Sequence, residues 1–440
     1  MELTASQNAA LASLLDEIDS GKKLVTLAGS AGTGKTTLIR KLRDCLVEGY
    51  RYDPFSEEFM FSAEERDVIV ATPTNKAAQV LCKKGIDAAT FFKTFYLLQE
   101  EVKDERNKNK PIFISCRRWV EDQLSQHKET RQELLHQLEG KGKAAEADVL
   151  IIDEASLLTH KRIREMQAMC KTLVLVGDHH QLPPVGDREY PEGYFTEIDH
   201  TAILTEIMRQ AEGSAILGLA DELRRNGPRV ENLVDSFEPA GSFLDLIRGG
   251  AQVIAFTNKE RQRINHVCRK ILGRNSPVPV AGDLVLVTNN FSEELINGTV
   301  VEVVGFEWDG RAPSAWITVK VNDKTTGQRM GMRTFGKDQI PSIQEQILEG
   351  IPDHVQQEEK ETALLELTYA YCMTAHKSQG SEWETVVVID QRDLIKKIQA
   401  GDPNARALSP EEYARRWMYT AITRARKDLI IAPTWFAKSY

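Results

Sequence analysis

The stretch Gly29-Ser30-Ala31-Gly32-Thr33-Gly34-Lys35-Thr36-Thr37 reads GSAGTGKTT and fits the pattern G-x-x-x-x-G-K-[ST] at every position. The apolar run Leu24–Ala28 precedes it as a candidate buried strand, and TTLIRKLRDCLVEG, residues 36–49, follows it as an amphipathic helix. A loop between a strand and a helix places a bound phosphate at the positive end of that helix. The stretch therefore predicts a phosphate-binding loop, or P-loop, in an α/β fold.

The residue types in this loop suit nucleotide phosphates. The glycines let the backbone curl, so that several N–H groups point at one anion. Lys35 adds a positive charge for the β- and γ-phosphates, and the hydroxyl of Thr36 suits Mg²⁺. We expect ATP and Mg²⁺ as cofactors. The candidate cofactor-binding residues of the loop are Gly29, Gly32, Thr33, Gly34, Lys35, Thr36 and Thr37.

Composition limits the class of protein but does not name it. The chain has 440 residues, 41% of them hydrophobic, and a formal net charge of −9. This length predicts about two to four domains. The acidic balance argues mildly against a protein that coats nucleic acid with its whole surface. It permits a narrow basic groove, because affinity depends on local phosphate contacts.

The expected location is the cytoplasm. The N-terminus MELTASQNAA lacks a cationic start followed by an apolar core, so we expect no secretory signal. No apolar run approaches the length of a membrane span, and we expect no membrane contact. The six cysteines form no C-x-x-C pair, which favours reduced thiols and argues against a zinc site. A bacterial cell or a phage-infected host cell fits these features.

Strand-like and helix-like segments alternate along most of the chain, which predicts the α/β class with parallel sheets. Ligands collect at the carboxyl ends of the strands in such sheets. The candidate buried strands are Leu24–Ala28, Val68–Ala71, Val149–Ile152, Leu173–Val176, Gln252–Thr257, Val386–Ile389 and Asp428–Ala432.

Two segments interrupt this alternation. Residues 92–147 are charged and rich in lysine, and RRWVEDQLSQHKETRQELLHQLEG, residues 117–140, has helical spacing. This predicts an inserted, partly helical subdomain. Residues 277–345 contain short alternating strands with Asn-Gly and Asp-Gly turns. This second pattern predicts a small antiparallel barrel, roughly the size of an SH3 domain.

Two further polar segments follow candidate strands. Asp153 and Glu154 come directly after VLII; Asp153 is suited to position Mg²⁺ and Glu154 to polarise an attacking water. GDHHQLPPV, residues 177–185, follows the next strand, and Gln181 within it could sense the γ-phosphate through a hydrogen bond. The alternatives are a strand end with two solvated acids and a proline-rich turn. Together with the P-loop, the segments favour catalysis.

At these residues the chain resembles a known family. GDHHQLPPV after IIDEAS resembles motif III after motif II of superfamily 1 helicases, and other segments resemble the RecD/Dda branch, superfamily 1B. These segments are LTASQNAAL at 3–11 (adenine reading), ATPTNKAAQVL at 71–81 (motif Ia), LTEIMRQ at 204–210 (motif IV), YCMTAHKSQGSEW at 371–383 (motif V) and YTAITRARKDL at 419–429 (motif VI). One departure is Thr90-Phe91-Phe92, where the family usually has Thr-Ile-His at the start of motif Ib.

The resemblance implies roles for residues outside the P-loop. It assigns Gln7 to the adenine base and Glu382 to the neighbourhood of the ribose. It also assigns Arg209 and Arg424 to the γ-phosphate, which they would stabilise when a cleft between two lobes closes. With Lys35, Asp153, Glu154 and Gln181, these two arginines complete the catalytic candidates; Thr36 and Asp153 are the metal candidates.

A motor on arbitrary sequence needs phosphate contacts that do not read bases. Hydroxyl, amide and lysine side chains in motifs Ia and V meet this need, and the phenylalanines after Thr90 offer stacking faces. Core packing of these phenylalanines is an equal alternative, because ATFFKTFYLL also fits a buried helix. The candidate DNA-binding residues are Thr72, Pro73, Thr74, Asn75, Phe91, Phe92, Thr374, His376, Lys377 and Ser378.

The resemblance further implies two RecA-like lobes with two insertions. The expected boundaries are 1–91 and 148–200 for the first lobe, 92–147 for an inserted subdomain carrying a strand-splitting pin, 201–276 and 346–440 for the second lobe, and 277–345 for the SH3-like barrel. The leading hypothesis is an ATP-dependent DNA helicase that moves 5′→3′ on single-stranded DNA and unwinds forked duplex DNA.

Other functions stay open. A DNA-stimulated ATPase could act as a switch or loader with little unwinding, or as one subunit of a recombination complex. Preference for RNA also stays open, because phosphate contacts do not test for a 2′-hydroxyl. A single-strand-binding protein, or another replication or recombination protein, is a candidate partner.

Overall fold

The structure is a computed structural model of the chain. It describes residues 3–53, 58–61, 65–104, 107–125, 130–184, 187, 189–190, 192–206, 215–226, 243–292, 294–321, 323–349, 351, 364–401 and 408–433. The chain divides into two compact units. The first comprises Met1–Glu101, Pro111–Arg224 and Gln399–Arg416, and the second comprises Val102–Lys110, Arg225–Ile398 and Trp417–Tyr440.

A parallel sheet forms the centre of the first unit. The strands of this half of the chain are β1 (Leu24–Gly29), β2 (Tyr50–Asp53), β3 (Glu58–Phe61), β4 (Val68–Thr72), β5 (Ala89–Thr90), β6 (Tyr96–Asp104), β7 (Asn107–Ser115), β8 (Ala147–Ile152), β9 (Cys170–Gly177) and β10 (Ala202–Leu204). Six of them pair in the order β10-β1-β9-β8-β4-β5, and every pair is parallel. β2 pairs with β3, and β6 with β7, in separate two-stranded sheets.

Helices surround this sheet because its strands are apolar on both faces. The helices of this half of the chain are α1 (Ala5–Asp19), α2 (Lys35–Val47), α3 (Asn75–Lys83), α4 (Phe91–Phe95), α5 (Cys116–Ser125), α6 (Arg131–Glu139), a 3₁₀ turn (Ala155–Leu157), α7 (His160–Gln167), α8 (Tyr194–Glu197) and α9 (Ala215–Asn226). Val174 packs with Leu38 of α2 in one buried cluster. The next residue, Leu175, packs with Ile163 of α7 in another, as the alternation of side chains along a strand requires.

The segment predicted as a partly helical insertion contains α5 and α6. These two helices share a small core of Cys116, Val120, Leu134, Leu138 and Ala145. Thr130 begins α6 with a capping box, in which its hydroxyl accepts from the backbone N–H of Glu133. Strands β6 and β7 precede these helices and follow the short helix α4, so the described part of the segment's first half is mainly strand.

The second unit contains two sheets. Its elements are α10 (Phe243–Arg248), β11 (Gln252–Ala255), α11 (Asn258–Ile271), β12 (Leu284–Val287), β13 (Val300–Glu307), β14 (Ser314–Val321), β15 (Lys324–Gly331), α12 (Met332–Lys337), α13 (Pro341–Leu348), β16 (Leu367–Tyr369), β17 (Cys372–Thr374), α14 (Ala375–Ser378), β18 (Trp383–Asp390), α15 (Arg392–Gly401), α16 (Pro410–Ile422) and β19 (Ala425–Pro433). The first sheet is parallel with the order β17-β11-β18-β19. The end of α15, from Gln399, and the start of α16, up to Arg416, are assigned to the first unit.

The second sheet of this unit is antiparallel, with the order β15-β14-β13-β12-β16. A bridge between Met330 and Leu365 joins its two edges, because Leu365 lies just before β16. The backbone N–H of Leu365 donates to Arg329 O at 2.9 Å, and that of Gly331 donates to Leu365 O at 3.1 Å. Four of the five strands lie inside the predicted range 277–345, and β16 lies beyond it. The SH3-like assignment and the domain boundaries stay predictions.

The predicted α/β class with parallel sheets is confirmed, and each of the seven predicted strands corresponds to a strand of a parallel sheet. Across the part of the chain that the structure describes, no helix is long and apolar enough to cross a membrane.

Candidate active site

The predicted motifs of the first unit meet at one edge of its parallel sheet. Strands that run in the same direction end at the same edge, and the sheet order decides which ends are neighbours. The P-loop follows β1, the segment containing Gln181 follows the adjacent β9, and Asp153 follows β8. Motif Ia follows β4, with Thr72 opposite Thr90 of β5. The edge therefore brings together segments that are far apart in the sequence.

The P-loop conformation depends on its glycines. Gly34 precedes α2 with φ = +82°, a left-handed conformation that side chains disfavour. Gly29 is required for a different reason, since a Cβ there would lie 2.7 Å from Thr33 Oγ1. The Thr33 hydroxyl in turn donates to Ser30 O at 2.8 Å. These contacts fix the path of the loop.

Lys35 is held by the loop itself. Its Nζ donates to Gly29 O at 2.7 Å and to Ser30 O at 3.0 Å. Both acceptors are neutral carbonyls, which a phosphate oxygen can replace as a stronger, charge-assisted partner. The lysine is therefore already positioned at the loop that binds the anion.

Gln7 contacts the P-loop backbone. Its Nε2 donates to Thr33 O at 3.2 Å, while its Oε1 accepts from the backbone N–H of Thr4 in the capping box of α1. The side chain is 2% exposed. Gln7 therefore joins the start of α1 to the P-loop, and the base contact implied by the resemblance stays a prediction.

Asp153 and Glu154 form the acidic part of the site. The Asp153 carboxylate accepts from the backbone N–H of Glu154 at 2.9 Å. Burial raises the pKa of Asp153 above its usual value, and the cations Lys35 and Lys84 oppose this shift. Glu154 has φ = +57°, a conformation that is unusual for a residue with a side chain. Such strain is typical of functional sites, where the surrounding structure maintains it.

Thr36 and Asp153 offer a hydroxyl and a carboxylate oxygen, and Mg²⁺ prefers oxygen ligands while keeping several waters. The described residues contain no group of three or more His, Cys, Asp or Glu that could hold a metal ion alone. Few protein ligands are typical of Mg²⁺ bound together with a nucleotide. The residues present therefore fit this ion.

The segment after β9 contains two adjacent histidines. Asp178 is buried and accepts from the backbone N–H of His180 at 3.0 Å. Burial, with His179 as the second cause, lowers the pKa of His180 to about 3. Gln181 is 5% exposed, and its backbone N–H donates to Asp178 O at 3.2 Å. This turn fixes the backbone of the predicted γ-phosphate sensor.

Two cations at this site were not predicted from the sequence. Nη1 of Arg224, on α9, donates to Ser30 Oγ at 2.6 Å, and Nζ of Lys84 lies 3.4 Å from Thr36 Oγ1. The partners are 194 and 48 residues apart in the sequence. No local pattern indicates contacts of such range.

The DNA candidates of the first unit lie at the ends of β4 and β5. Thr72 is buried, with its hydroxyl on Thr74 O at 2.7 Å, and the Thr74 hydroxyl accepts from the backbone N–H of Ala77 to begin α3. Pro73 lies between these threonines, and Asn75 is the first residue of α3. The Thr72 hydroxyl therefore already has a hydrogen-bond acceptor within the turn. All four assignments stay predictions.

The two phenylalanines separate into different environments. Phe91 is 3% exposed and packs 5.1 Å from Phe95, centroid to centroid. Phe92 is 38% exposed and stacks on Tyr96 at 4.5 Å with an interplanar angle of 9°. The expectation that Phe91 offers a stacking face to DNA is corrected, because α4 turns this ring into the core. Phe92 retains an exposed ring.

In the second unit, the motif V candidates surround the short helix α14. The Thr374 hydroxyl accepts from the backbone N–H of Lys377 at 3.4 Å, and the buried Ser378 donates to Ala375 O at 2.8 Å. Burial lowers the pKa of His376, which favours its neutral form. Lys377 is exposed. The DNA contacts of these residues stay predictions.

The remaining nucleotide candidates have other surroundings. Arg424 is 5% exposed, and its guanidinium donates to Thr420 O at 3.0 Å and to Ser381 O at 3.3 Å within the second unit. Glu382 pairs with Arg426 at 3.0 Å on the surface. Arg209 lies outside the described residues. The catalytic and ribose assignments of these three residues stay predictions.

Comparison with known helicases agrees with the motifs. The chain is 25% identical over 333 residues to the ATP-dependent DNA helicase Dda of Enterobacteria phage T4, an alignment that covers 69% of this chain and 65% of Dda. It is 24% identical over 443 residues to the ATP-dependent RecD2 DNA helicase of Deinococcus radiodurans, covering 94% of this chain and 47% of RecD2. The chain thus spans about two thirds of one relative and about half of the other. The resemblance to the RecD/Dda branch is confirmed.

Solved structures support the fold. A Pif1 structure determined to study unwinding at forked double-stranded DNA matches with a TM-score of 0.53 at 18% identity, covering 98% of this chain and 92% of that one. Bacteroides Pif1 in complex with ADP-AlF3 and single-stranded DNA matches with a TM-score of 0.51 at 19% identity, covering 98% and 92%. The family model described as AAA domain matches residues 2–242, more than half of the chain. With the P-loop, Asp153 and Gln181 all inside that range, the chain belongs to the AAA domain family.

Proposed function

We propose that this chain is an ATP-dependent DNA helicase that moves 5′→3′ along single-stranded DNA and unwinds forked duplexes. One observation carries the proposal. The P-loop, Asp153-Glu154 and Gln181 lie on the same sheet edge as the polar turn Thr72–Asn75. One sheet therefore connects the phosphate site to a segment that is suited to bind a nucleic-acid backbone, and a conformational change at the first can be transmitted to the second. The polarity comes from the resemblance to the RecD/Dda branch.

The proposed hydrolysis assigns one task to each residue. Lys35 exchanges its carbonyl partners for phosphate oxygens. Thr36 and Asp153 would hold Mg²⁺, which when bound neutralises charge on the β- and γ-phosphates. Glu154 accepts a hydrogen bond from the attacking water and orients it, and Gln181 donates to the γ-phosphate. Arg424 and Arg209 stabilise the charge that develops on the transferred phosphoryl group.

The proposed DNA contact is independent of base sequence. Thr74, Asn75, Thr374, His376 and Lys377 offer donors that suit phosphate oxygens. The exposed ring of Phe92 offers a face on which any base can stack. A motor that travels along arbitrary sequence needs both kinds of contact.

The test uses matched partial duplexes with a 5′ tail, a 3′ tail or a fork, together with ATP hydrolysis in the presence and absence of single-stranded DNA. We expect unwinding of the 5′-tailed and forked substrates, and hydrolysis stimulated by single-stranded DNA. Lys35→Ala should abolish both, because the phosphates lose their main cation. Lys23→Ala removes the same charge from an exposed position just before β1 and should change neither.

Unwinding of the 3′-tailed substrate alone would contradict the proposed polarity. DNA-stimulated hydrolysis without unwinding of any substrate would favour a switch, a loader or a subunit of a recombination complex. Equal stimulation and unwinding on RNA would remove the assignment to DNA. A single-strand-binding protein or another replication or recombination protein stays a candidate partner, and addition of such a protein to the same assay tests it.

A further inference from the structure

The end of α3 holds Lys84 in a fixed position beside the P-loop. The backbone N–H of Lys84 donates to Leu81 O at 3.0 Å, that of Gly85 to Cys82 O at 2.9 Å, and that of Ile86 to Leu81 O at 3.1 Å. Gly85 has φ = +78°, and Ile86 is 1% exposed. These contacts form a glycine-terminated helix end anchored by a buried side chain. The backbone at Lys84 is therefore fixed by this helix end, while its side chain is exposed.

The side chain of Lys84 points to the proposed metal ligands. Its Nζ lies 3.4 Å from Thr36 Oγ1. Its ammonium is also close enough to Asp153, the second proposed ligand, for the two charges to interact. Lys35 is engaged differently, with Nζ on Gly29 O and Ser30 O. The ammonium of Lys84 thus lies beside the hydroxyl of Thr36, and that of Lys35 lies on two carbonyls of the loop.

We propose that Lys84 is a built-in cation at the Mg²⁺ position, which binds nucleotide phosphate when metal is absent and competes with Mg²⁺ when metal is present. The inference rests on the proposed function, because it requires the P-loop to bind nucleotide. Ammonium and Mg²⁺ both associate with oxygen atoms, but the ammonium brings one charge on a flexible stem. A nucleotide with Mg²⁺ displaces it from Thr36.

The proposal has two consequences of opposite direction. Without metal, removal of Lys84 takes a positive charge away from the phosphates and weakens nucleotide binding. With metal, the same removal relieves repulsion between two cations and leaves Thr36 and Asp153 to the ion. The Mg²⁺ concentration needed for half-maximal binding should therefore fall. A residue that only maintained the fold would weaken nucleotide binding under both conditions.

The experiment measures binding and does not depend on turnover. A fluorescent ADP analogue is titrated into the full chain in EDTA, and Mg²⁺ is then titrated at a fixed, subsaturating concentration of the analogue. For Lys84→Ala we expect a Kd in EDTA about fivefold higher and a half-saturating Mg²⁺ concentration about threefold lower, as for one unit charge a few ångströms away near the surface. Lys84→Gln keeps most of the aliphatic side chain and removes the charge, so it should change both constants in the same direction as Lys84→Ala.

Lys83→Ala is the matched control. Lys83 is the adjacent lysine, is exposed, and carries the same charge. We expect both of its constants to stay within about 1.5-fold of the unaltered protein, since salt screens an exposed charge that does not contact the phosphate site directly. Equal effects of Lys83→Ala and Lys84→Ala would reduce the result to net charge and overturn the proposal.

The proposed role of Lys84 and the proposed function are contradicted by different results. Nucleotide binding by Lys84→Ala with an unchanged Mg²⁺ dependence, or with a higher Mg²⁺ requirement, would overturn the role of Lys84 and leave the proposed function intact. Absence of nucleotide binding by the unaltered chain would overturn both. Tight nucleotide binding by the unaltered chain without unwinding of any DNA substrate would contradict the helicase proposal and leave the role of Lys84 intact.

Discussion

Arg224 donates a hydrogen bond of 2.6 Å from Nη1 to Oγ of Ser30, the second residue of the P-loop. Asp221, one turn earlier on α9, pairs with the same guanidinium. Arg415 of α16 holds the end of α9 from another side, since it donates to Leu223 O at 3.0 Å. Ser30 is 8% exposed, so the contact is shielded from water. Arg224 therefore supports the P-loop from outside the loop itself.

The first prediction concerns this support. Arg224→Gln should weaken binding of a non-hydrolysable ATP analogue about tenfold, because the loop loses a charge-assisted hydrogen bond and the phosphates lose a nearby positive charge. Ser30→Ala should weaken it less. A double-mutant cycle by fluorescence titration should give a coupling of about 1–2 kcal/mol between the two residues. Additive effects would mean that Arg224 acts on the nucleotide without Ser30.

The sequence predicts those parts of the fold that lie in long contiguous patterns. The seven strands predicted from apolar runs are present, whereas β5, with two residues, and β16 and β17, with three each, are too short to give a periodic signal. The same limit applies to the site. The P-loop and Asp153-Glu154 are local motifs, but the contacts of Arg224 and Lys84 arise only when distant helices pack around the sheet. Phe91 and Phe92 lie between these extremes. The sequence allowed either core packing or an exposed stacking face for both rings, and the rotation of the short helix α4 buries Phe91 and exposes Phe92.

The second prediction concerns Arg424. Because a catalytic arginine acts on charge that develops during phosphoryl transfer, Arg424→Ala should leave the Kd for ATP within about threefold and reduce DNA-stimulated hydrolysis about 10³-fold. The hydrogen bonds of this buried guanidinium to Thr420 O and Ser381 O also allow a purely structural role. Thermal unfolding of the variant separates the two. A parallel loss of binding, hydrolysis and melting temperature would identify Arg424 as a structural residue.

The third prediction concerns a buried ion pair in the second unit. Arg269 and Asp283 are 3% and 0% exposed, with Nη2 and Oδ2 at 3.0 Å. Tyr371 also donates to the Asp283 carboxylate, at 2.9 Å. Asp283→Ala leaves a buried guanidinium without its counter-charge and should lower the free energy of unfolding by about 3–5 kcal/mol in urea.

Two further variants test whether the uncompensated buried charge causes the loss of stability in Asp283→Ala. Arg269→Met combined with Asp283→Leu removes both fully buried charges and should cost less than Asp283→Ala alone. Arg274, the second cation that pairs with Asp283, is 22% exposed and can be hydrated. Glu302→Ala, at an exposed position of β13, should stay within about 0.5 kcal/mol of the unaltered protein. A cost of Asp283→Ala no larger than that of Glu302→Ala would show that water reaches the pair.

The fourth prediction concerns pH. Burial, with His179 as a second cause, lowers the pKa of His200 from 6.5 to about 4. The unfolded chain therefore binds a proton between pH 6.5 and 4 that the folded chain does not. Stability is complete above this window and falls as pH decreases through it, by up to about 1.4 kcal/mol per pH unit for this residue. His180, with a pKa lowered to about 3, adds a loss in the same direction.

His200→Phe tests the contribution of one ring, because Phe195 lies 4.7 Å from His200, centroid to centroid, and can pack against a second aromatic ring. Urea unfolding of both proteins at pH 7.5 and pH 5.0 gives two differences in free energy. We expect the unaltered protein to lose more stability between these values than His200→Phe does, by about 1–2 kcal/mol. Asp199 acts on His200 in the opposite direction and favours the protonated ring. Equal losses in the two proteins would mean that this carboxylate offsets burial, so that His200 binds its proton equally well in the folded and unfolded chain.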